Sequence, residues 1–397
     1  MTASPGTPVP NDSGHRASDI GPLSTLATAH RLATKSSLWL AFAFFALVIP
    51  LSYGAGVIDI TTLNQFGRYL CIALVALGLD LIWGYTGILS LCQMMFFTLG
   101  GYCMGMHLAM KGPLQGDGIP QALYVVSSQV SGMTLPWFWM PFDSVWLSIL
   151  LVFVVPGGFA YVYGWLAFRS RVRGVYFSII TQATTVAATQ VFRLNDLQLC
   201  GTNGLTNFVT LFGFPLNENS TKVGLYLASV AALAVGFLAC TWLVSSRAGR
   251  VLIAIRDSES RLRFAGYQPV AYKTFAFALA AVLGAVGGML YTPQNGIITP
   301  FKMNPEESIY IVAMVALGGR GTLTGAILGS LIFSFSYSWL STKFADMWLI
   351  ILGSLFVFVI LVMPDGLVGA WRRLGLWLTA RSKPVAVEPA PAKETTP

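Results

Sequence analysis

The residue whose chemistry stands out most in this sequence is a carboxylate inside an apolar stretch. Asp80 is the only acidic residue between Tyr69 and Met110, and an ionisable group in such a stretch is a functional candidate by default. An ionised carboxylate only accepts hydrogen bonds, so Asp80 could bind the amide groups of a small polar substrate. It could equally bind the end of a neighbouring helix, because structural pairing inside helical bundles is common.

Other polar candidates follow Asp80 along the chain. Thr86, Ser90 and Gln93 lie in a glycine-interrupted stretch, where freed backbone carbonyls could line a cavity, as irregular backbone at membrane depth requires. In a later apolar stretch, Gln182 and Gln190 share a helix face. Their side chains could line a substrate path, although hydrogen bonds between helices are the preferred interpretation.

No group of residues has the spacing of an enzyme active site or a metal centre. His15, His30 and His107 do not cluster with acids or cysteines at ligand spacing, and four of the five cysteines lie in apolar windows. The run from Gly318 to Thr322 superficially resembles a phosphate-binding loop, but no Gly-Lys-Ser/Thr follows it. We therefore predict neither an enzyme nor a bound cofactor, and interpret this run as a break between helices.

The composition predicts the elements that position these residues. Of 397 residues, 55% are hydrophobic and 10% are charged, against about 25% charged in soluble domains. Windows of about the 17 to 25 residues needed to cross a bilayer recur, which predicts an all-helical, polytopic membrane protein with about ten transmembrane helices. The windows are Ser37–Ile58, Tyr69–Trp83, Ile88–Met110, Val145–Phe168, Val175–Phe192, Val223–Val244, Thr274–Tyr291 and Met347–Met363, with Ser308–Gly318 and Thr322–Leu340 less regular.

The net charge of +8 has an explanation in membrane orientation. The basic residues cluster in loops at alternate ends of the windows, so all clusters share the cytoplasmic side if the N-terminus is cytoplasmic. Both termini are then cytoplasmic, and nucleic acid is not needed as a partner. The clusters are Arg31 and Lys35; Arg169, Arg171 and Arg173; Arg247, Arg250, Arg256, Arg261, Arg263 and Lys273; and Arg372, Arg373, Arg381 and Lys383.

The chain divides into a membrane region and two polar tails. We predict a disordered cytoplasmic N-terminal tail at 1–36, a transmembrane domain at 37–372 and a cytoplasmic C-terminal tail at 373–397. Within the transmembrane domain, 111–144 and 193–222 are predicted external loops, and 245–273 is a cytoplasmic loop. The first apolar window lacks a small-residue cleavage signature and is interpreted as a retained span.

The cytoplasmic loop has the signals of a short helix. Ser258 can cap it, Glu259 lies in its first turn, and Gly266 can end it in a left-handed conformation. Composition alone favours an ordinary basic loop.

A resemblance to a known family changes that interpretation. The run from Ser246 to Gly288 resembles the cytoplasmic loop of permeases from ATP-binding cassette importers of branched-chain amino acids and urea. The resemblance covers most of Gln65 to Gly369 and is strongest to the urea-type permeases. Its other carriers are Trp83–Leu91, Arg173–Gln182, Gly201–Thr206 and Val315–Thr322.

The resemblance implies a subunit that transports and does not hydrolyse ATP. Such permeases pair with a homologous second permease, two ATPase subunits and a substrate-binding protein in the bacterial cytoplasmic (inner) membrane. Ala265 and Gly266 match the Ala-Gly that docks in the ATPase groove, and we assign Arg256 and Glu259 to the same coupling segment. Asn203, in the external loop that resembles the urea-type sequence, joins the substrate-path candidates.

The implied substrate is urea, with short-chain amides or branched-chain amino acids as the alternative. The sequence departs from the family pattern at Cys92 and Gln93, at Gly201–Gly204 and at Pro364–Gly366, which weakens the prediction of substrate. An Asp80 facing the path would repel an amino acid carboxylate, but that argument fails if Asp80 faces another helix.

Two transport classes without an ATPase are further alternatives. An ion-coupled secondary transporter needs coupling carboxylates in the membrane, and only Asp80 qualifies. A passive channel would leave the charged cytoplasmic loop without a purpose.

Overall fold

The computed structural model describes residues 48–112, 137–172, 174–194, 198–362, 366–370 and 373. The described residues leave out the predicted N-terminal tail, all but the first residue of the predicted C-terminal tail, half of the first apolar window, Arg173 and part of each predicted external loop. Within them the chain is mainly helical. The helices are α1 (Ile49–Gly54), α2 (Ile60–Thr86), α3 (Gln93–Met110), α4 (Val145–Arg169), α5 (Val175–Arg193), α6 (Asn219–Ser245), α7 (Arg247–Phe264), α8 (Pro269–Asn295), α9 (Pro305–Gly318), α10 (Leu323–Lys343) and α11 (Trp348–Val362).

Five of the described helices are long and apolar enough to cross a membrane, namely α2, α4, α6, α8 and α10. This confirms the helical class and agrees with a polytopic membrane protein. The total of about ten crossings and the cytoplasmic placement of both termini stay predictions. The two irregular windows near the C-terminal end form separate helices, α9 and α10, as their glycine-rich separation indicated.

Short strands and 3-10 helices connect some of the long helices. Strand β1 (Leu205–Thr206) pairs antiparallel with β4 (Ile297–Ile298), and β2 (Thr210–Leu211) pairs antiparallel with β3 (Phe214–Pro215). The β1–β4 pair ties the loop after α5 to the loop after α8. The 3-10 helices are Trp137–Asp143, Gly201–Asn203 and Pro300–Met303.

Helices α2 and α8 form the centre of the bundle. Within the chain, 72% of the apolar window of α2 and 61% of that of α8 are buried, against 22% for the peripheral α4. Because lipid tails are as apolar as leucine, such helices associate through close packing and hydrogen bonds. A Cβ added to Gly78 would lie 2.9 Å from the carbonyl oxygen of Ala280, and one added to Gly287 would lie 2.6 Å from that of Cys71. Glycine therefore lets the two backbones touch.

Two helices are interrupted inside the bundle, and the candidate Ser90 lies in the first interruption, between Thr86 at the end of α2 and Gln93 at the start of α3. Helix α2 ends at Gly87, where φ is +76°, and residues 87–92 are irregular before α3 begins. Helix α9 ends before Gly319 and Gly321, where φ is +117° and +78°. Left-handed backbone of this kind suits glycine, because a Cβ would be strained there.

Candidate functional site

Asp80 lies against the interruption between α9 and α10. The side chain is fully buried, and its Oδ1 accepts a hydrogen bond from the backbone N–H of Gly321 at 2.7 Å. Gly321 lies just before the N-terminus of α10, where free N–H groups and the helix dipole favour a carboxylate. Of the two roles considered for Asp80, this arrangement matches binding to the end of a neighbouring helix. Its second oxygen, Oδ2, is buried without a hydrogen-bond partner among the described residues.

Gly84 follows Asp80 by one helical turn and contacts the same interruption. A Cβ at Gly84 would lie 2.6 Å from the nitrogen and 2.7 Å from the Cα of Gly321, closer than real Cβ atoms approach backbone. Beside this contact, the guanidinium of Arg320 lies over the ring of Trp83, 5.2 Å from its centroid, within the range of a cation–π interaction. The end of α2 and the start of α10 therefore meet backbone to backbone.

Arg256 brings the cytoplasmic loop helix α7 to the same point. Its Nη1 donates a hydrogen bond to the carbonyl oxygen of Gly84 at 2.9 Å, and its Nε donates to Asp257 at 3.1 Å. Its stem covers Gly87, whose added Cβ would lie 3.1 Å from the Arg256 Cγ. Arg256, predicted from the sequence to be an ATPase-coupling residue, is thus directed back to the bundle. We name Asp80, Gly84, Arg256 and Gly321 the three-way junction.

Hydroxyl groups of α5 hold the irregular segment 87–92. Ser178 donates to the carbonyl of Leu89 at 2.9 Å, Thr185 donates to that of Leu91 at 3.2 Å, and the Leu91 N–H donates to Thr181 at 3.1 Å. The Leu89 and Leu91 carbonyls, expected to line a cavity, are therefore bonded to a neighbouring helix. Freed backbone groups at membrane depth need such partners.

The side chains of α5 that bond to segment 87–92 are hydroxyl residues that the sequence analysis did not select, and the roles expected for Gln182 and Gln190 stay predictions. Gln190 is exposed and Gln182 is half-buried, whereas Thr181 and Thr185 are fully buried. The spacing of hydroxyl residues at 178, 181, 185 and 189 follows one helix face and could have identified them.

The other predicted path residues are buried in local contacts or exposed. Thr86 donates to the carbonyl of Ile82 at 2.7 Å, and Gln93 donates to Ser90 at 3.4 Å. All three predicted residues of this stretch are buried, and the Gln93 Oε1 has no partner among the described residues. Asn203 is exposed at the end of a 3-10 helix.

Helix α7 has the cap that the sequence predicts. The N–H of Gly266 donates to the carbonyl of Arg263 at 3.0 Å, and that of Tyr267 donates to Leu262 at 3.3 Å. With φ of +85° at Gly266, this is a Schellman motif. At Ser258 two helical segments of α7 meet at a kink, with extended φ of −164° and ψ of +90°, which is the type of backbone conformation found at a residue that precedes a helix.

Glu259 joins α7 to the start of α8. Its two carboxylate oxygens accept from Arg263 at 2.6 Å and from Lys273 at 2.7 Å. Lys273 is buried and also lies 5.8 Å from the centroid of the Phe168 ring. Charge-assisted hydrogen bonds on both oxygens are strong, so Glu259 ties the last turns of α7 to the start of α8.

The end of α7 presents apolar surface to the outside of the chain. Phe264 is 93% exposed, and Ala265, Gly266 and Tyr267 are exposed beside it. Nothing lies within 4 Å of a Cβ added to Gly266. Phe264 and Tyr267 therefore give this end of α7 an exposed aromatic surface. We name residues 264–267 the α7 tip.

A cavity of about 250 Å³ lies toward the Ile60 end of α2, away from the three-way junction. Helices α2, α3, α8, α9 and α10 surround it, and none of the predicted path residues lines it. Its charged and amide residues are already paired in part: Lys302 with Glu307 at 2.7 Å, Arg68 with Asn295 at 3.0 Å and Gln65 with Ser338 at 3.0 Å. The sequence analysis missed it because the apolar window was drawn from Tyr69, which left Arg68 outside.

Comparison with known proteins identifies the nature of the chain. The family model described as "Branched-chain amino acid transport system / permease component" matches residues 61–360. The high-affinity branched-chain amino acid transport system permease protein LivM of Escherichia coli is 24% identical over 349 residues, covering 87% of this chain and 78% of LivM. No solved structure matches the chain.

Two further relatives are also permeases. The high-affinity branched-chain amino acid transport system permease protein LivH of Escherichia coli is 24% identical over 310 residues, covering 75% of this chain and 91% of LivH. The autoinducer 2 import system permease protein LsrC of Yersinia pseudotuberculosis is 33% identical over 135 residues, covering 32% of this chain and 38% of LsrC.

Proposed function

The chain belongs to the permease component family of branched-chain amino acid transport systems, and we propose that it is the membrane-spanning subunit of an ATP-driven importer for a small polar solute. Its relatives are transport permeases, so ATP hydrolysis falls to partner subunits. The observation that carries the proposal is the exposed α7 tip, on a helix whose Arg256 bonds to Gly84 at the interruption of α2. The Arg256 bond gives an ATPase bound at the tip a direct connection to the bundle.

The proposed assembly has two permeases, two ATPase subunits and a substrate-binding protein in the bacterial cytoplasmic membrane. Two different permease proteins named for branched-chain amino acid transport, LivM and LivH, both resemble this chain. That double resemblance supports pairing with a homologous second permease. In this assembly both termini are cytoplasmic, the α7 tip contacts an ATPase, and the Ile60 end of α2 is external.

The proposed mechanism transmits movement of the ATPases to the bundle through the three-way junction. Closure of the ATPase pair displaces the α7 tip, and the bonds of Glu259 make α7 move with the start of α8. Arg256 carries the displacement to Gly84, and the Asp80–Gly321 bond carries it to α10. The bundle then changes between outward-open and inward-open states, each favoured by a different state of the ATPases.

Of the three substrate classes that the sequence indicates, urea, short-chain amides and branched-chain amino acids, the amino acids have the better support. The relatives that cover most of the chain are named for branched-chain amino acid transport. The argument against a carboxylate relied on Asp80 facing the path, and Asp80 instead lies against the start of α10. Urea is the alternative, favoured by the resemblance of the Asn203 loop and the Arg320 segment to urea-type permeases.

The proposal is tested by uptake into vesicles that hold the full complex. Labelled leucine and labelled urea are offered separately, with and without ATP, to the wild type and to Gly266→Trp, which should block ATPase docking. Gly56→Trp is the matched control, because Gly56 is also exposed, has φ of +73° and has nothing within 4 Å of an added Cβ.

ATP-dependent leucine uptake that Gly266→Trp abolishes and Gly56→Trp preserves is the expected result. ATP-dependent uptake of urea but not of leucine would support the proposal of an importer and identify urea as its substrate. Solute movement that needs no ATP would contradict the importer itself.

A further inference from the structure

We propose that the cavity at the Ile60 end of α2 is a transient binding site for a solute that carries a carboxylate, with Arg68 as its carboxylate ligand. This inference rests on the proposed function and specifies where, within this chain, the solute is held. No residue of the site was among the candidates from the sequence.

The charges of the cavity leave one cation without an anion. Arg68, Lys302 and Glu307 line it, and Lys302 and Glu307 form an ion pair at 2.7 Å. Burial lowers the pKa of Lys302, but Glu307, together with Tyr291 and Tyr337, raises it by more, and the net shift is upward. Lys302 therefore keeps its charge and neutralises Glu307 in the ion pair. Among the described residues that line the cavity, Arg68 is then the positive charge that has no carboxylate partner.

The bonding of Arg68 points to a missing acceptor. Its Nη1 donates to the neutral Asn295 side chain at 3.0 Å, while its Nε is buried and has no hydrogen-bond partner among the described residues. A partly buried guanidinium without an anion is costly. A carboxylate is the ligand that best matches its planar set of donors, through two parallel hydrogen bonds.

A second unsatisfied group lines the same cavity. The Ser334 side chain is 4% exposed, and its Oγ is buried without a partner among the described residues. A hydroxyl both donates and accepts, so Ser334 can bond to a carboxylate or to an ammonium group. Two buried polar groups without partners in one cavity indicate a polar ligand, because buried polar groups are normally bonded.

The other residues that line the cavity indicate which further groups the solute carries besides the carboxylate. Tyr69, Tyr310 and Tyr337 supply aromatic faces that attract an ammonium group. Phe97, Met314 and Phe333 supply an apolar wall for a hydrocarbon side chain. The volume of about 250 Å³ lies below the roughly 300–1,000 Å³ of sites for drug-sized ligands. A small apolar amino acid combines these properties, whereas urea would leave Arg68 without an anion.

The first test measures occupancy directly, without transport. Ser341 also lines the cavity, and Ser341→Cys introduces a thiol for modification by a maleimide in the purified complex. Four probes are compared as protectants: leucine, leucinamide without the carboxylate, 4-methylpentanoate without the ammonium group, and urea. Leucine should slow modification most, 4-methylpentanoate should retain part of the protection, and leucinamide and urea should give none. Protection by urea or leucinamide equal to that by leucine would overturn the assignment of a carboxylate.

The second test removes the proposed ligand. In the Ser341→Cys background, Arg68→Gln should raise the leucine concentration that protects by roughly tenfold or more, because a hydrogen bond to a charged group is lost. Arg68→Lys should give an intermediate value, since it keeps the charge without the planar set of donors. Arg193→Gln is the matched control, because Arg193 is half-buried against the ring of Phe301 and does not line the cavity.

These outcomes separate the binding site from the proposed function. If wild-type vesicles take up leucine with ATP but Arg68→Gln leaves both KM and protection unchanged, the site is refuted and the importer stands. If no ATP-dependent uptake occurs while leucine still protects the introduced thiol in an Arg68-dependent way, the site stands and the importer fails.

Discussion

The two ends of α2 are built in opposite ways. At the Thr86 end, the helix meets its neighbours through backbone, with Gly84 against Gly321 and hydrogen bonds from Arg256 and to Asp80. At the Ile60 end, long polar and aromatic side chains surround a cavity of about 250 Å³. Backbone contacts without intervening space transmit displacement, because packed cores do not deform continuously. A cavity lined by side chains is suited to holding a solute, so one helix connects the two proposed functions.

The largest expected effect comes from filling the contact at the Thr86 end. Gly84→Val places a side chain where even a Cβ would lie 2.6 Å from the nitrogen of Gly321. Overpacking of this kind costs about 1 to 3 kcal/mol or more, and we expect a lower thermal unfolding midpoint of the purified complex together with loss of uptake. Gly158→Ala in α4 is the control, because nothing lies within 4 Å of its added Cβ. An unchanged midpoint and normal uptake in Gly84→Val would show that the junction is not tightly packed.

The next effect separates the two roles that Asp80 could have. Asp80→Leu leaves the N–H of Gly321 unsatisfied at a cost of about 1 to 3 kcal/mol, whereas Asp80→Asn keeps an acceptor of similar shape. We expect uptake to fall strongly in Asp80→Leu and to stay close to the wild type in Asp80→Asn. Competition between leucine and leucinamide should be the same in Asp80→Asn and the wild type. A changed preference between these two solutes would instead place Asp80 in the substrate path.

A smaller effect is expected where α7 joins the junction. Arg256→Gln removes a hydrogen bond to the Gly84 carbonyl, which contributes about 1.5 to 3 kcal/mol when the donor is charged. Because Arg256 is directed to the bundle and not to the α7 tip, the ATPase should still co-purify and hydrolyse ATP while leucine uptake per ATP falls several-fold. The control is Arg250→Gln, an exposed arginine of the same helix. Loss of ATPase co-purification in Arg256→Gln would return this residue to a docking role.

How well the sequence predicts each region depends on how far apart its partners lie. The Schellman end of α7 was predicted, because a left-handed glycine after a helix is a local signal at Gly266. The bonds of the junction were not, because Arg256 and Gly84 are 172 positions apart and Asp80 and Gly321 are 241 apart. Each residue drew attention by its type, but no local pattern names its partner.

The cavity was less accessible still to sequence analysis. Five α-helices and the 3-10 helix that carries Lys302 supply its lining, and Arg68, Lys302 and Glu307 lie outside the apolar windows drawn from the sequence. Arg68 and Lys302 therefore did not stand out as Asp80 did. The segment 87–92 was predicted in part. Its glycines indicated an interruption of the helix, but no pattern identified Ser178, Thr181 and Thr185 as its hydrogen-bond partners.

The smallest expected effect tests whether the ion pair of the cavity is a separate unit from Arg68. Lys302 and Glu307 are each about one-third exposed, at 34% and 29%, so a double-mutant cycle with Lys302→Gln and Glu307→Gln should give a coupling of about 1 kcal/mol or less in the free energy of unfolding. Since the pKa of Lys302 is raised in the folded chain, the stabilisation is complete below the unfolded pKa of about 10.4 and is lost only as pH rises through the folded value. The coupling should therefore be constant between about pH 6 and 9. A coupling that declines across this range would mean that Lys302 loses its proton there, which would free Glu307 and cancel the excess positive charge on which the assignment of Arg68 depends.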